Sequence, residues 1–284
     1  MRALNVELMT FDVGVECADA AGYADAVVGR VCAAWDGGAE VVVLPEFTWM
    51  GMERFVETGG GARGVADLFW GELWSGIRER LGAGDRAVVL GTVPFLGADG
   101  GLRNRAPILC CGEEMHQDKL HLTPWEGDFT GADGIWIWDF RGIRLAVVIC
   151  MDIEIPEISV ALRGRGVDVV LVPSATESML GVERVGRCAN ARAVELGCHV
   201  AVCHLVGRTE SELIDENIGR LAVYSPSQSP FVDCARERET EVFGSGFNRL
   251  AVELDIAAIR ACRGLSGETD PSKVRPAKIS IYEP

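Results

Sequence analysis

Arg144-Leu-Ala-Val-Val-Ile149-Cys150-Met-Asp-Ile-Glu-Ile-Pro-Glu157 is the stretch on which the reading of the fold turns. The apolar run 144–149 has the length and β-branched content of a buried strand. A thiol closes it, charge follows at once, and Pro156 opens a helix. Upstream, residues 134–140 and 143–149 form a hairpin around Arg141-Gly142. Downstream, a helix over 156–163 leads into a strand over 168–172. Strand, helix and strand in succession predict an α/β arrangement.

The same alternation runs through the rest of the chain. Strands are expected over 5–11, 40–44 and 86–93, and a hairpin over 105–111 and 114–119 around Gly112. Helices are expected over 18–35, where Tyr23, Val27, Val31 and Trp35 share one face, and over 65–81. A helix over 181–196 follows, with Val182, Val185, Ala189, Ala193 and Leu196 on one face. Strands over 198–205, 219–224 and 248–254 come next, then a short helix over 256–262 and a polar tail. No linker, repeat or low-complexity segment divides the 284 residues, so one domain over 1–284 is expected.

Apolar residues make up 48%, enough for a sizeable core, and the net charge is 27 − 42 = −15. That charge argues against a nucleic-acid binder, which needs a basic face. No apolar run reaches the roughly 20 residues that span a bilayer. Residues 1–7 lack the features of a secretory signal, so a cytoplasmic protein is expected. Ten cysteines are many, but in a reducing compartment and in apolar stretches they read as buried free thiols.

Three strand ends carry reactive groups: Glu46 after 41–44, Lys119 after the strand around Met115, and Cys150 after 145–149. Ligand sites of α/β sheets gather at the carboxyl ends of strands. Taken singly, each has a plain alternative: core thiol, loop carboxylate, solvated lysine. Taken together they form a possible catalytic unit, with Cys150 as nucleophile, Glu46 as proton acceptor and Lys119 as oxyanion partner. The backbone N–H of Met151 is the candidate second oxyanion donor. A sulfur placed between sheet and helix N-terminus is expected to have a lowered pKa.

Leu44-Pro-Glu46, Lys119-Leu-His-Leu-Thr-Pro-Trp-Glu126 and Ile149-Cys150-Met-Asp-Ile-Glu-Ile-Pro-Glu157 resemble, in order and spacing, three signature blocks of the nitrilase superfamily of carbon–nitrogen hydrolases. Val172-Pro-Ser-Ala-Thr176, Arg184-Val-Gly-Arg-Cys-Ala-Asn-Ala-Arg-Ala-Val-Glu195 and Tyr224-Ser-Pro226 resemble later blocks, and Asp255, Arg263 and Arg275-Pro276 fit the end. The resemblance implies a four-layer α-β-β-α sandwich and a Glu46-Lys119-Cys150 triad. Glu126, seven residues after the lysine, would be the second glutamate that orients it. It further implies a small-molecule amide substrate cleaved through a thioester, with no metal or organic cofactor. A homodimer or higher homo-oligomer is implied too, with the helices over 156–163 and 181–196 as candidates for the contact; the tail over 264–284 is a candidate extension over a partner subunit. Two departures stand out: Met151 follows the nucleophile, and Ile218-Gly-Arg-Leu-Ala222 alters the stretch before the final strands.

Substrate clues lie beside the blocks. Relatives that act on carbamoyl amino acids or dicarboxylate monoamides often carry arginine three or four positions after the cysteine, where this chain has Ile153 and Glu154. A neutral or cationic amide is therefore expected, unless Glu154 pairs within the fold. Phe47, Trp125 and Thr176 are candidate walls. Cys-Met-Asp rather than Cys-Trp-Glu favours an amidase over a nitrilase. Acyl transfer to an amine would use the same thioester, and a non-catalytic binding module could use the same fold. Cys198-His199-Val-Ala-Val-Cys203-His204 lacks paired metal-ligand spacing and reads as a buried strand. His116 and His121 flank Lys119 and could tune it.

Overall fold

The computed structural model describes residues 3–82, 84–211 and 213–264. The first half of the chain gives strands Ala3–Met9 (β1), Phe11–Asp12 (β2), Val41–Leu44 (β3), Ala87–Leu90 (β4), Val93–Leu96 (β5), Leu102–Cys110 (β6) and Glu113–Asp118 (β7), and helices Ala20–Asp36 (α1), Gly61–Leu68 (α2) and Trp74–Leu81 (α3). The second half gives Ile137–Phe140 (β8), Ile143–Val147 (β9), Val169–Ser174 (β10), His199–Arg208 (β11), Glu216–Asn217 (β12), Ala222–Tyr224 (β13), Glu237–Glu239 (β14) and Arg249–Asp255 (β15), with helices Pro156–Leu162 (α4), Met179–Leu196 (α5) and Ile256–Gly264 (α6).

Two sheets result. One runs β15-β1-β3-β4-β6-β5 with β7 paired to β6; the other runs β14-β13-β11-β10-β9-β8 with β2 and β12 paired to β11. Parallel pairs form the centre of each, β1–β3–β4 and β9–β10–β11. Strands buried on both faces read as unbroken apolar runs, as Val41–Leu44 and Val169–Val172 do. The sheets face each other: Val6, Val43 and Val89 of the first share one apolar cluster with Leu145, Leu171 and Val202 of the second. A second cluster fills the space between the first sheet and α1–α3, with Val27, Val31, Val42, Val88 and Leu81. Helix α5 covers the other face of the second sheet through Val182, Val185, Ala189 and Ala193. The expected α-β-β-α layering is the architecture observed.

The helix boundaries have local causes. Asp19 caps α1 by accepting from the Gly22 N–H at 2.7 Å. Ser178 caps α5, which ends at Gly197 in the left-handed region, φ 59°. Two expected elements are broken. The helix foreseen over 65–81 is interrupted by a π turn at Phe69–Leu73, where Phe69, Trp70 and Trp74 stack on one another and Phe69 lies 4.6 Å from Trp49. The strand foreseen over 86–93 stops at Leu90 and resumes at Val93, because Gly91 and Thr92 support the turn that carries Glu46. Among the described residues no helix is long and apolar enough to cross a membrane. The tail expected over a partner lies, from residue 265 onward, outside the described residues.

Candidate active site

Glu46 leaves β3 on a tightly bonded turn. The Pro45 carbonyl accepts from Thr48 Oγ1 at 2.7 Å and from the Thr92 N–H at 3.3 Å. Phe47, left-handed at φ 56°, donates its N–H to Thr92 Oγ1 at 2.8 Å. Gly91 is required here: its φ is +67°, and a Cβ would stand 2.1 Å from the Pro45 oxygen.

Lys119 follows β7, and its N–H donates to the Asn104 carbonyl of β6 at 2.9 Å. The chain then returns through a 3-10 turn, Pro124–Glu126, closed by a capping box. Thr123 donates its N–H and its hydroxyl to Glu126 Oε2 at 2.9 and 3.0 Å. That turn makes the seven-residue spacing productive, because it brings the Glu126 carboxylate back onto the lysine.

Cys150 begins a 3-10 turn, Cys150–Glu154, with φ 45°. A left-handed backbone at a residue with a Cβ costs about 1–3 kcal/mol. The strain turns the chain sharply out of the sheet and directs Sγ to the Ala175 carbonyl at 3.4 Å. The turn is pinned on both sides. Asp152 accepts from the Leu120 N–H at 3.0 Å and from the His121 N–H at 2.7 Å. Arg192 donates to the carbonyls of Ile153 and Glu154 at 3.2 and 3.3 Å.

These three turns meet. Lys119 Nζ donates to Glu46 Oε1 at 2.8 Å and to Glu126 Oε2 at 2.6 Å, with all three side chains 1% exposed. The Ala175 N–H donates to Glu46 Oε2 at 3.0 Å. Burial raises the pKa of Glu46; Lys119 opposes this and Glu126 adds to it. Burial alone would discharge Lys119, but Glu46, Cys150 and Glu126 together hold its ammonium above the ordinary lysine range. Burial, and then the charge of Glu46, push the Cys150 thiol well up. The lowered thiol pKa expected from a helix N-terminus is thus not found. A single 3-10 turn follows the cysteine, the first α-helix starts only at Pro156, and an anionic neighbour outweighs any dipole.

A cleft of about 400 Å³ opens over the cluster. Glu46, Phe47, Lys119, Trp125, Cys150, Met151, Glu154 and Thr176 all line it, while Glu126 stands behind Lys119. Phe47 packs edge-on against Phe129, Trp125 is 69% exposed at the rim, and Thr176 donates its hydroxyl to the Ile218 carbonyl at 2.7 Å. Glu154 is not a free carboxylate: Arg184 of α5 holds it at 3.2 Å, so the mouth has an arginine after all, from a different element. His121 bonds Asp152 at 2.9 Å and not Lys119. His199 and His204 are buried and bonded to Ser225 and to the Arg220 carbonyl, and burial lowers each to about 4. Among the described residues no group of His, Cys, Asp or Glu is arranged to hold a metal ion.

Residues 13–263 match the model of the carbon-nitrogen hydrolase family. The chain belongs to that family. It is 30% identical to an (R)-stereoselective amidase of Pseudomonas sp. over 233 residues, which cover 80% of this chain and 77% of the relative. It is 26% identical over 215 residues to the Bacillus subtilis protein named "Probable hydrolase YhcX", a match covering 74% of this chain and 42% of that longer protein. Among solved structures, a variant of the amidase from Nesterenkonia sp. AN1 in complex with butyramide superposes with a TM-score of 0.65 at 23% identity, covering 92% of this chain and 94% of the other. Nit3 of Saccharomyces cerevisiae, of the nitrilase superfamily, gives 0.67 at 18% identity, covering 95% and 97%. These likenesses show the nitrilase fold. Its relatives make this chain a carbon–nitrogen hydrolase of amidase-like kinship.

In this carbon–nitrogen hydrolase one residue of the cluster was missed in the sequence. Asn104 Nδ2 donates to Glu46 Oε1 at 2.9 Å and to Glu126 Oε1 at 2.8 Å. Its neighbours Arg103 and Arg105 make the segment look like a solvated strand. The signal that could have found it was alternation, since Leu102, Asn104 and Ala106 fall on one buried face.

Proposed function

We propose that this protein hydrolyses a small amide through a thioester on Cys150. What carries the reading is the buried Glu46–Lys119–Glu126 cluster placed beside that thiol on the cleft. Glu46 takes the thiol proton as Sγ attacks the carbonyl carbon. The oxyanion is met by the Lys119 ammonium and the Met151 N–H. As the tetrahedral species collapses, the C–N bond breaks, the proton passes from Glu46 to the departing nitrogen, and ammonia or an amine leaves. Water then gives a proton to Glu46 and attacks the thioester, and the acid departs as Sγ regains the proton. Glu126 keeps Lys119 charged and aimed.

The substrate in this reading is a neutral or cationic amide. Arg184 and Glu154 balance one another at the mouth, and Glu177 adds a further carboxylate. The relation to an (R)-stereoselective amidase favours amides over nitriles. A reducing, cytoplasmic setting suits ten free cysteines. The reading includes a homodimer through α4 and α5.

The test is ammonia release from a panel of neutral amides, ω-amidated acids, carbamoyl compounds and nitriles. Neutral or cationic amides should be preferred, with a thioester adduct on Cys150 seen by mass spectrometry after a quench. Cys150→Ala should lose at least about 10³-fold in kcat. Retained turnover in that variant refutes the nucleophile. A strong preference for the acids refutes the substrate class.

A further inference from the structure

The Asn104 amide makes contacts for which the proposed chemistry has so far given no role. Both hydrogens of one Nδ2 are spent on two carboxylates, Glu46 at 2.9 Å and Glu126 at 2.8 Å. The side chain is 1% exposed, and its buried Oδ1 has no hydrogen-bond partner among the described residues. An orphaned buried carbonyl is costly, so a structure that keeps one has a reason for the group on the other end. The orientation of the amide follows from charge: turned over, Oδ1 would face two carboxylates and Nδ2 would lose both acceptors.

The charges explain the need. Two carboxylates share one ammonium, leaving an excess of negative charge in a buried site. The groups facing Glu46 are Lys119 after β7, Glu126 in the 3-10 turn and Cys150 after β9; the Ala175 N–H after β10 adds a neutral donor. A second cation in place of Asn104 would neutralise the excess and weaken Glu46 as a base. An apolar residue would leave both carboxylates short of a donor and drive Glu46 to protonate. An amide lies between these extremes: it donates twice and adds no charge.

We propose that Asn104 is a positioning residue for the reaction, its amide tying the Glu46 and Glu126 carboxylates together around Lys119 and thereby fixing both the aim and the basicity of Glu46. With Oε1 held by Lys119 and Asn104, Glu46 presents Oε2, which accepts the Ala175 N–H, as the oxygen that takes the thiol proton. The proposal rests on Glu46 being the base.

The test is the pH dependence of kcat/KM in the full-length enzyme with Asn104→Leu, Asn104→Asp and Asn104→Ser. In Asn104→Leu, kcat should fall about 10–100-fold with KM within about threefold, and the acid limb should move up by about one pH unit. Asn104→Asp, nearly isosteric, should move the limb further, because a third carboxyl joins the cluster. Asn104→Ser, a smaller donor, should lie between wild type and Leu. Thermal melts identify variants that fail to fold, and Asn104→Asp and Asn104→Ser keep the test alive if Leu does. A folded variant whose activity drops with the limb unmoved, or is unchanged, overturns the proposal. A Cys150→Ala enzyme that still turns over overturns the underlying reading instead, so the two failures are told apart.

Discussion

Cys150 is strained in backbone and discouraged from ionising, which at first looks like a poor nucleophile. The φ of 45° points Sγ into the cleft, and burial beside Glu46 keeps the thiol protonated at rest. Such a thiol resists adventitious oxidation and reacts when its proton has somewhere to go. In the proposed reaction Glu46 provides that place, and the sign of its pH dependence follows. Burial raises its pKa, so the carboxylate form is complete above that raised value and is lost as pH falls through it. The kcat/KM profile should therefore show a one-proton acid limb with a midpoint above the roughly 4.3 of an ordinary glutamate. A plateau that persists below that point, or a limb in the alkaline range reporting the thiol instead, would contradict the assignment of Glu46 as base. At this scale the sequence was legible where a reactive group ended a strand, as Glu46, Lys119 and Cys150 do. It was silent where function needed a contact across strands, as at Asn104, and misleading where a partner came from another element, as Arg184 does for Glu154.

At the scale of elements, the site depends on three loops being locked to one another. Asp152, two residues past Cys150, accepts the N–H groups of Leu120 and His121, directly after Lys119. It is 1% exposed, and removing it takes the acceptor from two half-buried donors. Asp152→Ala should cost about 3 kcal/mol and lower Tm by about 5 °C, because each lost bond goes to a charged acceptor. It should also lower kcat more than it raises KM, since the Lys119 loop is released while the cleft walls stay. Calorimetry and steady-state kinetics on the same preparation check both; a large fall in Tm with kcat intact would mean that Lys119 is held without this link. The broken helix and the divided strand belong to the same scale. Periodicity over 65–81 was helical, but a π turn at Phe69–Leu73 interrupts it where the rings of Phe69, Trp70 and Trp74 meet. The run 86–93 read as one strand, yet Thr92 was needed to hold the Phe47 N–H.

For the whole molecule, the local pattern carried the layers but not the long-range pairings. β15 pairs with β1 across the entire chain, and β2 crosses from the first half to join β11 in the second sheet. Neither is visible in any window of sequence; the resemblance, not the periodicity, implied the closed sandwich. What the layers leave uncovered bears on assembly. Val160 of α4 is 61% exposed, Leu180 of α5 69% and Val194 of α5 41%, on the helices that form one outer layer. Exposed apolar side chains lose water when a second copy covers them, and a two-fold contact brings the same face of each copy together. The proposed homodimer must also overcome repulsion between chains of net charge −15, so its dissociation should weaken as salt rises. Sedimentation at micromolar concentration should give a dimer whose stability increases with ionic strength. Val160→Glu sets a carboxylate near its own symmetry mate and should yield a monomer with nearly unchanged Tm, since Val160 contributes little to the core of one subunit. A wild-type protein that sediments as a monomer in high salt, or a Val160→Glu dimer as tight as wild type, would place the contact elsewhere or remove it.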